Sequence, residues 1–223
     1  MIEPKTQKIT FIHTAPVLVD VFSALIEKYQ LNISAQHHLH SELLKKAIAN
    51  GMSDELASQI TDVCLSHSQD SDFVVCTCSS LGEVAENITL ANGRKVIRID
   101  RAMADLAVNS GNNILVLAAL ESTLTPTASV LTSSQKTKNI HNKIDYQVVE
   151  DCWSFFLAGQ ADKYHQAIAD VIELKQDDYD CIVLAQASMS EASVLVKNNR
   201  ALILSSPEIG IQSLAEQLIK QAV

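Results

Sequence analysis

Residues 72–85 read DFVVCTCSSLGEVA and residues 180–193 read DCIVLAQASMSEAS. Each stretch contains an Asp, a short apolar strand, a turn of small polar residues and a helix start marked by Glu. When the two stretches are superposed, Cys78 falls on Gln186, and the offset is 108 residues (186 − 78) in a chain of 223. The sequence therefore predicts a fold that is repeated twice, with a thiol at one strand end and an amide at the matching one.

Short apolar runs alternate along the chain with longer segments of helical pattern. This alternation predicts an α/β fold whose parallel strands are joined by right-handed crossovers. We expect two pseudo-symmetric domains, each a mainly parallel sheet flanked by helices, with a cleft between them. The predicted strands span 8–13, 31–36, 72–77, 96–99, 113–119, 144–149, 180–185 and 200–204. The predicted helices include 17–29, 53–66, 83–90, 101–109, 162–174 and 207–221.

The composition restricts the class of protein. Hydrophobic residues make up 47% of the chain and aromatic residues 4%, which predicts a globular protein with an aliphatic core. A net charge of −9 without a basic run argues against nucleic-acid and acidic-membrane partners. No apolar run approaches the roughly 20 residues of a membrane helix, and the polar N-terminus does not resemble a signal peptide. Five cysteines without a CxxC pair are typical of reduced thiols, so a cytoplasmic location is predicted.

Small polar residues follow four of the predicted strands, two in each half of the chain. Ligands of parallel α/β sheets bind beyond the carboxyl ends of the strands. Hydroxyl groups and backbone amides at helix N-termini are suited to a carboxylate, so we predict a small-molecule carboxylate as the ligand. The candidate binding residues are His13, Thr14, Ser79, Ser80, Ser122, Thr123, Gln186, Ala187 and Ser188.

Cys78 lies at a predicted strand-to-helix junction, where the helix dipole and backbone amides lower the pKa of a thiol. A thiolate at this place could remove a proton next to a carboxylate or attack an electrophile. A buried structural cysteine is the alternative interpretation, but the position in the repeat favours a functional role. Cys64, Cys76 and Cys181 are assigned to the core, and Cys152 is left without an assigned place.

The chain carries no recognisable metal or nucleotide motif. The spacing in His37-His38-Leu39-His40 does not match common zinc motifs, and a solvated loop is the preferred interpretation. The six glycines form no GxGxxG or P-loop pattern. His13 ends the first strand and is interpreted either as a pocket residue or as a structural histidine. We therefore predict that the protein binds no metal and no cofactor.

Two segments resemble the cysteine motifs of the aspartate/glutamate/hydantoin racemase superfamily. Residues 74–80 (VVCTCSS) are similar to the first motif, with Ser79 and Ser80 where the family has Asn and Thr. Residues 182–189 (IVLAQASM) are similar to the second motif, a strand followed by Cys-Thr. The order and spacing of these and two further segments carry the resemblance.

The two further segments extend the likeness over nearly the whole chain. Ser122-Thr123 resembles the threonine-bearing substrate loop, and residues 205–208 (SSPE) resemble the closing strand and helix. The resemblance implies that the chain returns to its starting domain, so we expect residues 1–110 with 200–223 to form the first domain. Residues 111–199, after the turn signal NSGNN, would form the second. The resemblance also suggests a homodimer.

The resemblance implies cofactor-independent chemistry at the carbon next to the carboxylate of a small acid. Family racemases use two thiols, one on each face of that carbon. Gln186 replaces the second thiol, and an amide cannot act as a general acid or base near neutral pH. The leading hypothesis is therefore an isomerase in which Cys78 is the single catalytic thiol. The alternatives are a one-cysteine decarboxylase, a racemase whose second base is another group such as His13, and a non-catalytic carboxylate-binding protein.

Overall fold

The computed structural model describes residues 6–221 of the chain. The strands are β1 (Gln7–His13), β2 (Ile33–Leu39), β3 (Phe73–Cys76), β4 (Ile97–Arg98), β5 (Asn113–Ala118), β6 (Lys143–Val148), β7 (Cys181–Leu184) and β8 (Leu202–Ser205). The helices are α1 (Val17–Lys28), α2 (Ser41–Asn50), α3 (Asp54–His67), α4 (Ser79–Ala85), α5 (Arg101–Asn109), α6 (Leu124–Lys138), α7 (Cys152–Leu157), α8 (Ala161–Lys175), α9 (Ala192–Leu195) and α10 (Ser206–Gln221). None of the helices in this range is long and apolar enough to cross a lipid bilayer.

The strands form two four-stranded sheets with the same internal order. The first sheet has the order β2-β1-β3-β4 and the second has the order β6-β5-β7-β8, and every neighbouring pair is parallel. Each sheet belongs to one of two compact units, residues 6–100 with 207–221 and residues 101–206. The predicted α/β fold with two similar halves is thereby confirmed.

The boundaries of the two units differ from those predicted from the sequence, which were 1–110 with 200–223 for the first and 111–199 for the second. β8 pairs with β7, so the last strand belongs to the second sheet and not to the first. Because every residue of β7 is buried, both of its edges need partner strands for their backbone groups, and β8 supplies the second one. Helix α5 also lies in the second unit, and α10 alone returns to the first.

The Asp that opens each copy of the repeat holds two strands in register. In the first unit, Oδ2 of Asp72 accepts a hydrogen bond from the backbone N–H of Lys8 at 2.9 Å. In the second, Oδ2 of Asp180 accepts from the backbone N–H groups of Asn112 at 2.8 Å and Asn113 at 3.0 Å. Each carboxylate thus ties the start of its own strand to the start of the central strand, so the repeated Asp is structural.

Each unit has its own apolar core. The core of the first unit includes Ile12, Val74 and Leu81, together with residues of α2 and α3. The core of the second unit includes Leu184 and Tyr164, and the three large aromatic side chains of α7 are partly buried against it. Those aromatic residues, Trp153, Phe155 and Phe156, therefore cover a core. Cys64, Cys76 and Cys181 are buried, as predicted, and so is Cys152.

Two local predictions differ from the structure. The helix expected at 83–90 is α4, which begins at Ser79 and ends at Ala85. His37 and His38 lie in β2 and not in a loop, because their backbones pair with those of β1. β2 is an edge strand whose side chains are half-buried or exposed, so polar residues are tolerated in it.

Replacing Gly82 with Ala tests how tightly α4 packs on β4. In a free helix this change stabilises by about 0.5–1 kcal/mol. Here a Cβ atom would lie 2.5 Å from Nε of Arg98, a side chain held by two hydrogen bonds to Asp100. We expect Gly82→Ala to lower the free energy of unfolding by about 1–3 kcal/mol in urea denaturation. The exposed neighbour Glu83→Ala is the control and should change it by less than about 0.5 kcal/mol; a more stable Gly82→Ala protein would contradict the packing described.

Candidate active site

The carboxyl edge of the first sheet gathers polar residues from three neighbouring strands. β1 is followed by Thr14, β3 by Thr77 and Cys78, and β4 by Ile99 and Asp100. Since Ile12 pairs with Cys76 and Cys76 with Arg98, these strands end at nearly the same level. Parallel sheets bind ligands at this edge, so the first unit presents Thr14, Cys78 and Asp100 where a ligand is expected.

Cys78 connects β3 to α4 and is 8% exposed. Its carbonyl oxygen accepts a hydrogen bond from the backbone N–H of Leu81 at 3.1 Å, which starts the helix. Burial raises the pKa of the Cys78 thiol, and hydrogen bonds from the Thr14 hydroxyl and from the backbone of Leu81 and Ser80 offset only part of that effect. The expectation of a lowered pKa is therefore wrong in its net direction, because desolvation outweighs the amides of a short helix.

A buried ion pair lies beside the thiol, and sequence reasoning did not find it. Nε of Arg98 donates to Oδ1 of Asp100 at 2.6 Å and Nη2 to Oδ2 at 3.2 Å, and both residues are at most 3% exposed. Nη1 of Arg98 also donates to Oε1 of Glu86 at 3.3 Å. The Asp100 carboxylate is one of the groups that raise the pKa of the Cys78 thiol. The feature of the sequence that could have indicated this ion pair is the charged residue Arg98 at the end of β4.

His13 is completely buried, and both of its ring nitrogens are engaged. Nδ1 lies 2.8 Å from Oγ1 of Thr77, and Nε2 lies 2.8 Å from Nδ1 of His37. Because the Thr77 hydroxyl donates to the carbonyl of Ile12, the Nδ1 of His13 must carry the hydrogen and its Nε2 must accept one from His37. Burial, followed by repulsion from His37 and His38, lowers the pKa of His13 to about 3. The imidazole is thus neutral and has no nitrogen left for proton transfer to a ligand.

Three further histidines contact one another beside β2. The rings of His38 and His67 are in contact, tilted by 33° with centroids 3.9 Å apart, and Nε2 of His40 lies 3.1 Å from Nε2 of His67. Nδ1 of His40 lies 3.2 Å from Oε1 of Glu42. Within residues 6–221, no three His, Cys, Asp or Glu side chains converge as metal ligands.

Gln186 occupies the corresponding place at the carboxyl edge of the second sheet. Leu117 pairs with Leu184, so two residues further on Ala119 faces Gln186, and its backbone N–H donates to Oε1 of Gln186 at 2.7 Å. A backbone N–H can only donate, so the amide must turn its oxygen toward Ala119. The Nε2 atom is buried and has no hydrogen-bonding partner in the described part of the chain. The matching contact in the first sheet joins Thr14 to Cys78.

The remaining predicted residues divide between the two edges. Ser79 and Ser80 are buried in the first turn of α4. Ser122 and Thr123 form a short turn after β5, with Thr123 fully buried. Ser188 has a structural role, because its Oγ lies 3.0 Å from the hydroxyl of Tyr164 and its carbonyl 3.0 Å from Nε2 of His165. The first edge thus holds His13, Thr14, Cys78, Ser79 and Ser80, and the second holds Ser122, Thr123, Gln186, Ala187 and Ser188.

The fold matches solved structures of racemases. Aspartate racemase from Picrophilus torridus superposes with a TM-score of 0.67 and 17% identity, over 97% of this chain and 94% of that one. A glutamate racemase from Bacillus anthracis gives 0.69 and 12%, over 98% and 84%, and allantoin racemase from Pseudomonas fluorescens gives 0.59 and 13%, over 97% and 92%. No protein-family model and no curated protein sequence matches the chain. The chain therefore has the two-unit α/β fold of the aspartate, glutamate and allantoin racemases, the fold that its sequence resemblance implied.

The buried His13 should make stability depend on pH. Its folded-state pKa of about 3 lies below the ordinary value of 6.5. Between those values the unfolded chain binds a proton that the folded chain does not, so the free energy of unfolding falls as the pH falls, by up to about 1.4 kcal/mol per pH unit. Urea denaturation from pH 7 to pH 5 should therefore give a shallower slope for His13→Asn than for wild type. His141→Asn, at an exposed histidine, is the control and should leave the slope unchanged; an unaltered slope in His13→Asn would count against this assignment.

The raised pKa of Cys78 predicts a thiol that reacts slowly at neutral pH. The thiolate is the reactive form, so alkylation of the native protein by iodoacetamide should accelerate as the pH rises past the ordinary thiol value of 9.0. The other four cysteines are at most 2% exposed, so peptide mapping should find the label on Cys78. Cys78→Ser should abolish the labelling of the native protein. Fast labelling with a midpoint below pH 8 would contradict a raised pKa.

Proposed function

We propose that the protein is a cofactor-independent, racemase-type isomerase that acts at the carbon next to the carboxylate of a small acid. In this proposal Cys78 is the single thiol acid/base, and Gln186 replaces the second thiol. The observation that carries the proposal is the pair of matched contacts, Thr14 to Cys78 in one sheet and Ala119 to Gln186 in the other. The fold shared with the aspartate and glutamate racemases supports the same reaction class.

The proposed step moves one proton on one face of the substrate. The Cys78 thiolate takes the proton from the carbon next to the carboxylate, and the electron pair of the C–H bond moves onto the carboxylate as an enediolate. A neutral hydrogen-bond donor would stabilise the developing negative oxygen. Since Cys78 serves one face only, return of the proton by Cys78 gives exchange with solvent, and inversion of the carbon requires that water deliver the proton to the other face.

Decarboxylation is the second candidate, and the protonation state of Cys78 favours it. Loss of carbon dioxide from a malonate-type diacid gives the same enediolate, which then needs one proton on one face. Burial raises the pKa of the Cys78 thiol, which favours the protonated form that acts as an acid. A single thiol is sufficient for this reaction, whereas racemisation needs a proton donor on each face.

Proton NMR in deuterium oxide tests both reactions. The panel comprises both enantiomers of aspartate and glutamate, together with hydantoins, methylmalonate and phenylmalonate. We expect wild type to exchange the α-proton or decarboxylate at least one compound, and Cys78→Ala to reduce that rate by roughly 10²–10⁴-fold, the usual contribution of a general acid or base. Cys76→Ala is the matched control, since Cys76 lies two residues away and is 2% exposed.

The outcomes separate the candidate functions. A fully active Cys78→Ala protein would falsify the assigned role of the thiol. Thermal stabilisation by a carboxylate of the panel without exchange or decarboxylation would instead favour the non-catalytic carboxylate-binding protein. Folding of both variants is checked by circular dichroism, because removal of a buried side chain also lowers stability.

Gln186→Cys tests whether the missing second thiol limits the reaction to one face. We expect wild type to exchange the α-proton of one enantiomer faster than it inverts that enantiomer, and Gln186→Cys to interconvert the enantiomers faster than wild type, as measured by chiral chromatography. Gln186→Ser is the control, because it removes the amide without adding a thiol. Racemisation by wild type at the rate of the Gln186→Cys variant would show that another group already serves the second face.

A further inference from the structure

Four buried polar atoms of the second unit have no hydrogen-bonding partner within the described part of the chain. They are Oγ of Ser122, Oγ1 of Thr127, Nε2 of Gln186 and Oγ of Ser206. In the first unit, Oε1 of Gln7, at the opposite end of its sheet, is the one such atom among the described residues. Since nearly all buried polar groups in proteins are hydrogen-bonded, a concentration of unpartnered ones calls for an explanation.

Three of these residues follow adjacent strands at the same edge of the sheet. Ser122 comes after β5, Gln186 two residues after the end of β7 and Ser206 directly after β8, and these strands lie side by side. The register places Leu184 opposite Ser205, so Gln186 and Ser206 leave their strands within two residues of the same level. Thr127 lies on α6, the helix that follows Ser122. The unpartnered atoms therefore share the edge at which parallel sheets bind ligands.

The chemistry of Gln186 determines what can bind there. Its amide oxygen is already occupied by the N–H of Ala119, so the buried Nε2 can only donate a hydrogen bond. The Ser206 hydroxyl is fully buried and can also donate. None of the four residues carries a charge, so this edge would recognise acceptor oxygens by neutral dipoles and not by an ion pair.

We propose that Gln186 and Ser206, with Ser122, form a subsite of the second unit that binds acceptor oxygens of the substrate, either a carboxylate or the carbonyl of a ureide. The proposal rests on the proposed function in one respect, since it takes the small acid of that proposal as the ligand.

Binding measurements in a Cys78→Ala background test the subsite without turnover. The probes are D-glutamate, which carries carboxylates, and allantoin, which carries neutral ureide carbonyls. Gln186→Glu keeps an oxygen facing Ala119 and converts the donor into an anionic acceptor. We expect it to weaken D-glutamate binding at least tenfold by isothermal titration calorimetry, and allantoin binding by a smaller factor because only the donor is lost. Gln166→Glu, an exposed position on α8, controls for the added charge.

The two probes distinguish the two sources of acceptor oxygen. Binding of D-glutamate that depends on Gln186 supports a carboxylate, and binding of allantoin that depends on Gln186 supports a ureide carbonyl. An affinity for the bound probe that is unchanged in Gln186→Glu overturns the proposal. Failure of both probes to bind at millimolar concentration overturns it as well, because the subsite is assigned to these two groups.

Ser206→Ala provides a readout that requires no ligand. If the buried hydroxyl has no partner in the protein, its removal should leave the melting temperature unchanged or raise it. The affinity for the probe that binds should fall several-fold. A fall of the melting temperature by several degrees would mean that the hydroxyl is bonded within the fold and would overturn the proposal.

Failure of this proposal differs from failure of the proposed function. Binding that depends on Gln186 and Ser206, in a protein whose wild type catalyses neither exchange nor decarboxylation, would support the subsite and remove the catalytic role of Cys78. Turnover that depends on Cys78 but does not change when Gln186 or Ser206 is replaced would support the catalytic role of Cys78 and overturn the subsite.

Discussion

The parallel pairing between each central strand and its neighbour positions everything at the candidate site. In the first sheet Ile12 pairs with Cys76, which brings Thr14 to Cys78, and in the second Leu117 pairs with Leu184, which brings Ala119 to Gln186. Because successive side chains of a strand point to opposite faces, a slip of one residue in either pair would remove these contacts. The carboxylates of the repeat, bonded to the starts of the central strands, hold that register.

The electrostatic character of the first edge follows from its burial. His13 is kept neutral by desolvation, and the charge of Asp100 is balanced by Arg98 within a bidentate ion pair. The Cys78 thiol therefore lies among groups that offer it no net positive charge, and its pKa is raised. A raised pKa favours the protonated thiol over the thiolate, which is the nucleophilic form.

The sequence predicted those features that depend on local pattern. Apolar runs indicated each of the strands described, and the offset of 108 residues between Cys78 and Gln186 matches the equivalent places of β3 and β7. Features that depend on pairing between strands far apart in the sequence could not be predicted from local pattern. β8 belongs to the second sheet because it pairs with the edge of β7 that faces away from β5. His37 is in a strand because β1 lies beside it. The pKa of Cys78 depended on the balance between burial and helix amides, which no local pattern reveals.

The two sheets have the same strand order and differ in how their carboxyl edges satisfy polar groups. In the first unit, no buried side-chain nitrogen or oxygen of the described residues lacks a partner at that edge. In the second, the position of the thiol holds an amide that is fixed at its oxygen and unpartnered at its nitrogen. An unpartnered buried donor destabilises a fold by about 1–3 kcal/mol, which is the free energy that a hydrogen bond to a bound ligand at this edge would offset. The two copies of the repeat therefore share a strand order and differ in the polar chemistry of their carboxyl edges, with a thiol in the first and an unpartnered amide donor in the second.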